Sequence, residues 1–425
     1  MELRDRAQLT KKVTGDQKEK ENLENYRKFI DIVSEIYNIY ALLDELFISG
    51  YPELIEININ IRNFECEYSG CKLKTSNHKE ILSKLSKMLT ELKKAQFDAY
   101  QKKPLIRFIY GRQFNLIHDS IEGKEEDRKK IAPLLMFLTN ISMKYERINY
   151  KYQSTGNKYE DLINNCEKYL DAILKENNIS LKKIYEESLI KEKTKVNKGV
   201  YMHVCDKLEK TLFQIYKHLT KNTPKAQNVL LCNKETTNEE LTAFLYRSIL
   251  CEFNSCFIIG GIELLEFDKK NRLLELLESL NKSVEMKSCL IILYTDKSVD
   301  IIKSLDLLKF NKSLKFKDHE LDYIKIGDKS NVEVVESDQS GVGKSTYIKT
   351  EIEKTKGKKY IHFPFGGVFN RKDIIRRLKK LKITDNCAIH FDLYDTDKVD
   401  LMLEFLFSIL ITKFYGQNDE IFFLP

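Results

Sequence analysis

The stretch ESDQSGVGKSTY, residues 336–347, nearly matches the phosphate-binding loop pattern G-x-x-x-x-G-K-[ST]. The apolar run VEVV precedes it, and STYIKTEIEKTK, a helix-like segment closed by Gly357, follows it. Such a loop lies between a buried strand and the N-terminus of a helix. The stretch therefore predicts a unit of the α/β class, in which parallel strands alternate with helices.

The predicted ligands of this loop are ATP and Mg²⁺. Successive backbone N–H groups would surround the phosphate oxygens, and the following helix offers them its positive end. Gly341 and Gly343 would let the main chain approach the phosphates, Lys344 would reach the β- and γ-phosphates, and Ser345 would bind Mg²⁺. The full set of predicted nucleotide contacts is Gln339, Ser340, Gly341, Val342, Gly343, Lys344, Ser345 and Thr346.

Asp338 stands where the loop pattern has its first glycine. Aspartate is among the few residues that tolerate a left-handed backbone at modest cost, so the turn can still form. Its carboxylate is unfavourable near phosphates and has to point away or bond to a neighbouring donor. The loop is therefore expected to keep its nucleotide.

Hydrolysis needs an acid on a neighbouring strand to hold Mg²⁺ and usually an adjacent acid to activate water. Asp392, in the apolar run CAIHFDL, is the candidate Mg²⁺ ligand, but the next residue is Leu393. A buried leucine accepts no proton. Asp395 and Asp397 come too late to be in register, although a bent strand end would bring one near. No catalytic residue is predicted, and the site is expected to turn ATP over slowly or not at all.

The bulk composition fits a protein of two to four globular domains, since the chain has 425 residues. The net charge of +7, from 71 basic and 64 acidic residues, is a small excess and predicts no nucleic-acid partner. Nine cysteines without an apolar leader indicate free thiols in the cytoplasm. No apolar run approaches the roughly 20 residues of a membrane span, so no transmembrane segment is predicted.

Hydrophobic periodicity divides the chain into four predicted regions. Residues 1–102 read as a mainly helical arm with one short strand in IEININIRN, and residues 103–220 as a helical connecting region. In residues 221–310 the runs NVLLC, SCFIIGG and SCLIILYT alternate with helical segments, which is typical of a parallel sheet covered on its faces. Residues 325–425 repeat this alternation around the phosphate loop and form a second, incomplete unit.

Five polar residues outside the loop each have two interpretations. Arg107 and Arg112 either face an acidic partner or a phosphate, or cap a packed structural element. His362 and His390 alternate with apolar residues within strands, which favours core histidines over ligands. Glu263 follows a strand of the first unit, where a metal-binding acid would lie, but no Gly-Lys-Ser loop precedes it, so a structural role is favoured.

Four segments together resemble the mysterin family. They are NVLLCNKETTNEELTAFLYRSILCEFNSCFIIGGIELL, MKSCLIILYTDKSVDIIKSL, VESDQSGVGKSTYIK and AIHFDLYDTDKVDLMLEFLFSILI. That family comprises giant cytosolic proteins that combine dynein-like AAA+ modules with a RING-type E3 ubiquitin ligase. The resemblance covers roughly residues 100–425 and is strongest after 225. It implies that the phosphate loop belongs to an early AAA+ unit of the ring, and that a degenerate AAA+-like unit without such a loop precedes it.

The resemblance carries over to five residues of the candidate site. Gly341, Gly343, Lys344 and Ser345 match the nucleotide loop of the family, and Asp392 matches its third-strand aspartate. AAA+ ATPases have a glutamate after that aspartate, where this chain departs from the pattern. The resemblance also implies an early unit that keeps ATP as a structural ligand.

The partners that the resemblance implies are the remaining AAA+ units and the ligase region of a larger protein, and through them the ubiquitin machinery. The chain has no cysteine- and histidine-rich ring motif, so ligase activity is not expected in this polypeptide, which is expected to be a fragment or a broken gene model. Three functions remain open. The first is a module that binds MgATP as a conformational ligand, the second is an active ATPase motor using another acid or a neighbouring unit, and the third is a non-catalytic scaffold.

Overall fold

The structure described here is a computed structural model of the chain. It describes residues 17–51, 56–60, 65–69, 77–123, 128–139, 143–145, 148, 150–191, 196, 198–296, 300–307, 332–336, 343–354, 357–381, 383–384, 386–417 and 420–424. The architecture is of the α/β class, with a four-stranded parallel sheet and a second, two-stranded parallel sheet. None of the described helices is long and apolar enough to cross a membrane.

The N-terminal arm is a pair of long helices with a hairpin between them. The elements are α1 (Gln17–Ile48), β1 (Glu56–Asn60), β2 (Glu65–Ser69) and α2 (His78–Lys102). Helix α2 begins where the Asn77 side chain accepts a hydrogen bond from the Lys79 N–H. The two helices pack through a small apolar core that includes Ile39, Leu46 and Leu85. The predicted helices and the strand in IEININIRN are confirmed where the structure describes them.

Short helices then connect the arm to the first sheet. They are α3 (Gln113–Glu122), α4 (Ala132–Thr139), α5 (Lys158–Glu176) and α6 (Leu181–Tyr185). Arg107 is buried in this region and donates hydrogen bonds to the carbonyls of Tyr100, Gln101 and Leu250. The Arg112 guanidinium lies 3.8 Å from the centre of the Phe47 ring. Both arginines therefore have the packing role that was the second of their two interpretations.

The first α/β unit is built on four parallel strands in the order β3-β6-β5-β4. The strands are β3 (Gly199–Val204), β4 (Val229–Leu231), β5 (Cys256–Gly260) and β6 (Cys289–Tyr294). The helices are α7 (Leu208–Thr220), α8 (Asn238–Ile249), α9 (Phe267–Ser283) and α10 (Asp300–Leu307). Every residue of β5 and β6 is buried, as a parallel sheet with helices on both faces requires. Helix α8 begins at Thr237, whose side chain accepts from the Glu240 N–H.

Strand β3 corrects the prediction that helices continue to residue 220. Residues 199–204, GVYMHV, lie beside β6, with Gly199 opposite Cys289 and Val204 opposite Tyr294. A run of six residues is too short for helical and strand periodicity to be told apart, and pairing with the central strand decides in favour of the strand. The sheet of the first unit therefore begins before residue 221.

The second unit contains the parallel strands β7 (Lys359–Gly367) and β8 (Cys387–Thr396). Its helices are α11 (Lys344–Lys354), α12 (Arg371–Lys380) and α13 (Val399–Phe407), and an antiparallel hairpin of β9 (Phe414–Gln417) and β10 (Glu420–Phe423) follows. The apolar faces of β7 and β8 pack with α12 and α13 in a core that includes Phe363, Phe365 and Phe405.

The strand predicted before the phosphate loop is not formed. Residues 332–336 are described and have no strand structure. A strand exists only when a neighbour pairs with it, and among the described residues β8 is bonded to β7 alone. The apolar pattern VEVV was therefore not sufficient to predict a strand.

The two units meet at the buried side chain of Arg371 and its hydrogen-bond partners. Arg371, the first residue of α12, donates hydrogen bonds to Glu404 on α13 at 2.8 Å and to Glu235 at 3.1 Å. Asn233, which follows β4 of the first unit, donates to the other oxygen of Glu404 at 2.8 Å. Glu404 and Arg371 of the second unit are thus bonded directly to the loop between β4 and α8.

Candidate functional site

The N-terminus of α11 is the part of the predicted phosphate loop that the structure describes. Gly343 has a φ of +85°, no atom of the described residues lies within 4 Å of a Cβ added to it, and α11 begins at Lys344. Ser345 and Thr346 are exposed in the first turn, where backbone N–H groups have no partner within the helix. The predicted contacts Gln339, Ser340, Gly341 and Val342, together with Asp338, lie outside the described residues.

Helix α11 lies on one face of the β7–β8 sheet and contacts both strands. Gly357, with a φ of +91°, stands between the helix and β7, and a helix that precedes a strand of a parallel sheet is expected to run against the strand direction. Burial, together with the charges of Asp392 and Glu353, raises the pKa of Tyr360. Since Tyr360 is near the start of β7, the last turn of α11 lies beside that end of the sheet.

The start of α11 is then expected at the level of Asp392. From Glu353 back to Lys344 the helix spans about 13 Å. Tyr360 pairs with Ala388, and from Ala388 to Asp392 strand β8 also spans about 13 Å. Helix and strand therefore bring the lysine and the aspartate to the same end of the sheet.

Asp392 is held by two hydrogen bonds to one of its oxygens. His362 Nε2 donates to Asp392 Oδ2 at 3.1 Å, and the Tyr394 hydroxyl donates to the same oxygen at 2.8 Å. Burial raises the pKa of this carboxyl, but the bonds from Tyr394 and His362 outweigh it, and the net shift is downward. Asp392 is therefore a carboxylate at neutral pH.

A magnesium site made from Ser345 and Asp392 fits this donor set. In the described part of the chain, no three His, Cys, Asp or Glu side chains are grouped so that they could hold a metal ion alone. Mg²⁺ does not need such a group, because it takes one or two protein oxygens and completes its shell with water and phosphate oxygens.

Leu393, the residue after Asp392, is more exposed than the sequence predicted. It was expected to be buried, but 52% of it is exposed. It belongs to the strand face opposite Asp392, and Asp395 follows on that same opposite face. Asp397 accepts a hydrogen bond from the Phe369 N–H at 2.8 Å and so orders the chain after β7. Exposure does not change the chemistry of Leu393, which still accepts no proton.

The two strand histidines differ in burial. His390 is 6% exposed and shares a hydrogen bond of 3.0 Å with the Tyr360 hydroxyl, and burial lowers its pKa. This agrees with the interpretation as a core histidine. The side chain of His362 is 43% exposed and bonds to Asp392 instead. The interpretation as a core histidine is therefore wrong for His362, because nearly half of its side chain is exposed.

His362 and Tyr394 are the residues that sequence reasoning did not connect with the site. Tyr360 and His362 alternate on β7, and His390, Asp392 and Tyr394 alternate on β8, so all five share one sheet face. A row of polar residues on two consecutive strands is a signal that the sequence contains. It becomes specific only when the pairing of the strands is known.

In the first unit, the corresponding position at the start of α7 is filled by an apolar side chain. A Cβ built on Gly260 would lie 2.8 Å from Leu208 Cδ1, and Leu208 Cδ2 is also close to Gly261. Leucine therefore lies over the carboxyl end of β5, and its side chain offers no donor to a phosphate. Glu263 accepts hydrogen bonds from the backbone and hydroxyl of Thr295, in agreement with a structural role.

Comparison with protein-family models finds a match to the family described as the RNF213 AAA domain, over residues 201–311. These residues run from β3 through α10, which is the first α/β unit. The match supports an AAA region like that of RNF213, or mysterin, in this part of the chain. A search of curated proteins finds no match.

Proposed function

We propose, starting from the AAA region at residues 201–311, that the chain is a nucleotide-binding AAA+ module of a mysterin-like protein. Its second unit would bind MgATP as a structural ligand and hydrolyse little of it. The observation that carries this proposal is the start of α11 at Lys344, directly after Gly343, against the sheet whose strand β8 carries the Asp392 carboxylate. The first unit would bind no nucleotide, because Leu208 fills the equivalent place.

The chain's own groups would hold the triphosphate by charge and by backbone donors. The N–H groups at the start of α11 and the helix dipole favour phosphate oxygens, and Lys344 adds a positive charge. Ser345 and Asp392 would hold Mg²⁺, which neutralises phosphate charge. Binding of this kind requires no side chain that changes its protonation state.

Retention rather than turnover follows from the groups around Asp392. Leu393 cannot accept a proton, and Asp395 is exposed and lies two residues, about 7 Å, farther along β8. Asp397 is bonded to the Phe369 N–H, and His362 is bonded through Nε2 to Asp392 itself. Within the described residues, the groups near Asp392 thus supply no acid in the place where AAA+ ATPases have a glutamate.

The test of this proposal is a thermal melt of the full chain with and without MgATP. Ligand at a thousandfold excess over its Kd stabilises the folded state by about 4 kcal/mol. Lys344→Ala should abolish the nucleotide-dependent rise in Tm. Lys349→Ala, on the same helix, is the matched control, since Lys349 is exposed, and it should keep the rise. A rise that persists in Lys344→Ala means that the site is elsewhere.

Two other outcomes would select the alternative functions. Phosphate release that Asp392→Ala abolishes would indicate an active ATPase motor. Purified protein that contains no ATP and takes up none would indicate a non-catalytic scaffold. On the leading proposal, the partners are the remaining AAA+ units and ligase region of a larger cytoplasmic protein that acts with the ubiquitin machinery, as the resemblance implies.

A further inference from the structure

We propose that His362 and Tyr394 are positioning residues that orient Asp392 toward the magnesium ion of the bound nucleotide. This inference rests on the proposed function, because it assigns roles within the same site. Neither residue belongs to the phosphate loop, and neither is the strand aspartate or the residue directly after it, which are the positions that the sequence pattern identifies. Their connection to the site comes from the pairing of β7 with β8.

Both donors use the same carboxylate oxygen. His362 Nε2 and the Tyr394 hydroxyl each donate to Asp392 Oδ2, at 3.1 and 2.8 Å. Among the described residues, Asp392 Oδ1 has no hydrogen-bond donor. A carboxylate that is fixed through one oxygen presents the other to a cation, and such supporting bonds commonly hold metal-binding side chains in place.

The two donors come from different strands, so together they fix the orientation of the carboxylate. His362 is on β7 and Tyr394 is two residues after Asp392 on the same face of β8. A single donor would leave the carboxylate free to rotate about that bond. Two donors on separate strands restrict its side-chain torsions before any ion arrives, which lowers the entropy that binding has to overcome.

The end of β7 is shaped to allow the tyrosine contact. The strand register shifts between Phe365 and Gly367, and an added Cβ at Gly366 would lie 2.6 Å from Tyr394 Cβ. Only glycine leaves room for Tyr394 at this place. Irregularities of this kind at strand ends redirect side chains toward functional sites.

The tyrosine contact is difficult to explain as a source of stability. Tyr394 is 54% exposed, so its ring buries little apolar surface. Hydrogen bonds and ion pairs at exposed positions contribute little to folding. By contrast, the neighbouring pair of Tyr360 and His390 is at the more buried end of the same face and needs no functional explanation. Tyr360 therefore supplies a matched control, because the same change from Tyr to Phe removes a hydroxyl that does not contact Asp392.

The experiment measures how strongly Mg²⁺ enhances binding of a fluorescent ATP analogue to the full chain. The Kd is determined in Mg²⁺ and in EDTA for the wild type, Tyr394→Phe, His362→Ala and the double variant. In the double variant we expect the enhancement by Mg²⁺, which is the ratio of the Kd in EDTA to the Kd in Mg²⁺, to fall about 10- to 100-fold. The Kd in EDTA should not change. His362→Gln, whose amide can donate from nearly the position of Nε2, should retain most of the Mg²⁺ effect.

The outcomes separate this inference from the proposed function. If the wild type binds the analogue in Mg²⁺ but the double variant has the same Mg²⁺ dependence, His362 and Tyr394 are not positioning residues. An equal loss in Tyr360→Phe would also overturn the inference, since it would indicate a general effect on the sheet. If the wild type binds no nucleotide, the proposed function itself is wrong. Thermal melts of each variant without ligand check that it folds. Tyr394→Phe should lose the least stability, because Tyr394 is exposed.

Discussion

At the scale of single residues, Glu240 is a carboxyl group whose surroundings disfavour its charged form. It lies on α8, beside a cavity of about 90 Å³ between the two units, and Tyr110 donates a hydrogen bond to it. Burial raises its pKa from 4.5 to about 7. Arg247, which lies nearby, is itself buried and bonded to the carbonyls of Gln227 and Arg107. Its positive charge reduces the effect of burial on Glu240 but does not cancel it.

This shift predicts a pH dependence of stability with a definite sign. Between about pH 4.5 and about 7 the folded protein holds a proton on Glu240 that the unfolded chain has lost. Stability therefore falls as the pH rises through this window and stays lower above it. Glu240→Gln should raise the free energy of unfolding by about 2 kcal/mol at pH 8 and change it little at pH 4.5. Denaturant unfolding at both pH values checks this, with the more exposed Glu278→Gln as control. Equal effects at the two pH values would contradict it.

At the scale of elements, α11 and α7 have corresponding places in the two units but differ in how they are held. Helix α7 buries seven residues, among them Leu212 and Phe213, whereas α11 buries none. A helix without buried side chains gains little from packing, and isolated helices of this length are marginal in water. The ligand that the start of α11 is proposed to bind would therefore supply part of its stability.

Hydrogen exchange measures this difference directly. MgATP should slow amide exchange across α11 by at least tenfold, because opening of the helix then requires loss of the ligand. Exchange in α7 should not change, which makes it the internal control. No protection in α11 at saturating MgATP would mean that the nucleotide does not bind at this helix.

The elements also show what can be predicted from the sequence. The long helices and the β4–β6 strands are predicted because their patterns are local. Strand β3 and residues 332–336 are not, because pairing with a neighbouring strand decides whether these runs become strands, and the local pattern does not contain that pairing. The same reason applies to the candidate site. Lys344 and Asp392 follow from motif spacing, whereas the contact of His362 with Asp392 depends on which residues face each other across two strands.

At the scale of the whole molecule, Arg371 joins the two units. It is buried, and its guanidinium bonds to Glu404 in its own unit and to Glu235 in the first. Burial raises the pKa of Glu404, and the charge and hydrogen bond of Arg371 counteract this, along with Asn233. Removal of one partner from a buried pair leaves the other charge without compensation.

We therefore expect Arg371→Met to lower the free energy of unfolding by about 3 kcal/mol. In the double variant with Glu404→Leu, part of this loss should be recovered, since no buried charge remains. Arg376→Met, which removes an exposed ion pair with Asp373 on the same helix, should change stability by less than about 1 kcal/mol. Chemical denaturation of the wild type, the two single variants Arg371→Met and Glu404→Leu, their double variant and Arg376→Met decides. Strictly additive effects of the two buried substitutions would show that the residues do not interact.

The contacts of Arg371 and the proposed nucleotide site lie on opposite faces of the β7–β8 sheet, which bears on nucleotide exchange. Helices α12 and α13, which carry Arg371 and Glu404, cover the apolar side of the β7–β8 sheet, and α11 with Asp392 is on the reverse side. On the proposed function, nucleotide would enter and leave on the reverse side, away from the contacts of Arg371 with the first unit. The first unit would then keep its contacts with α12 and α13 whether or not the second unit holds a nucleotide.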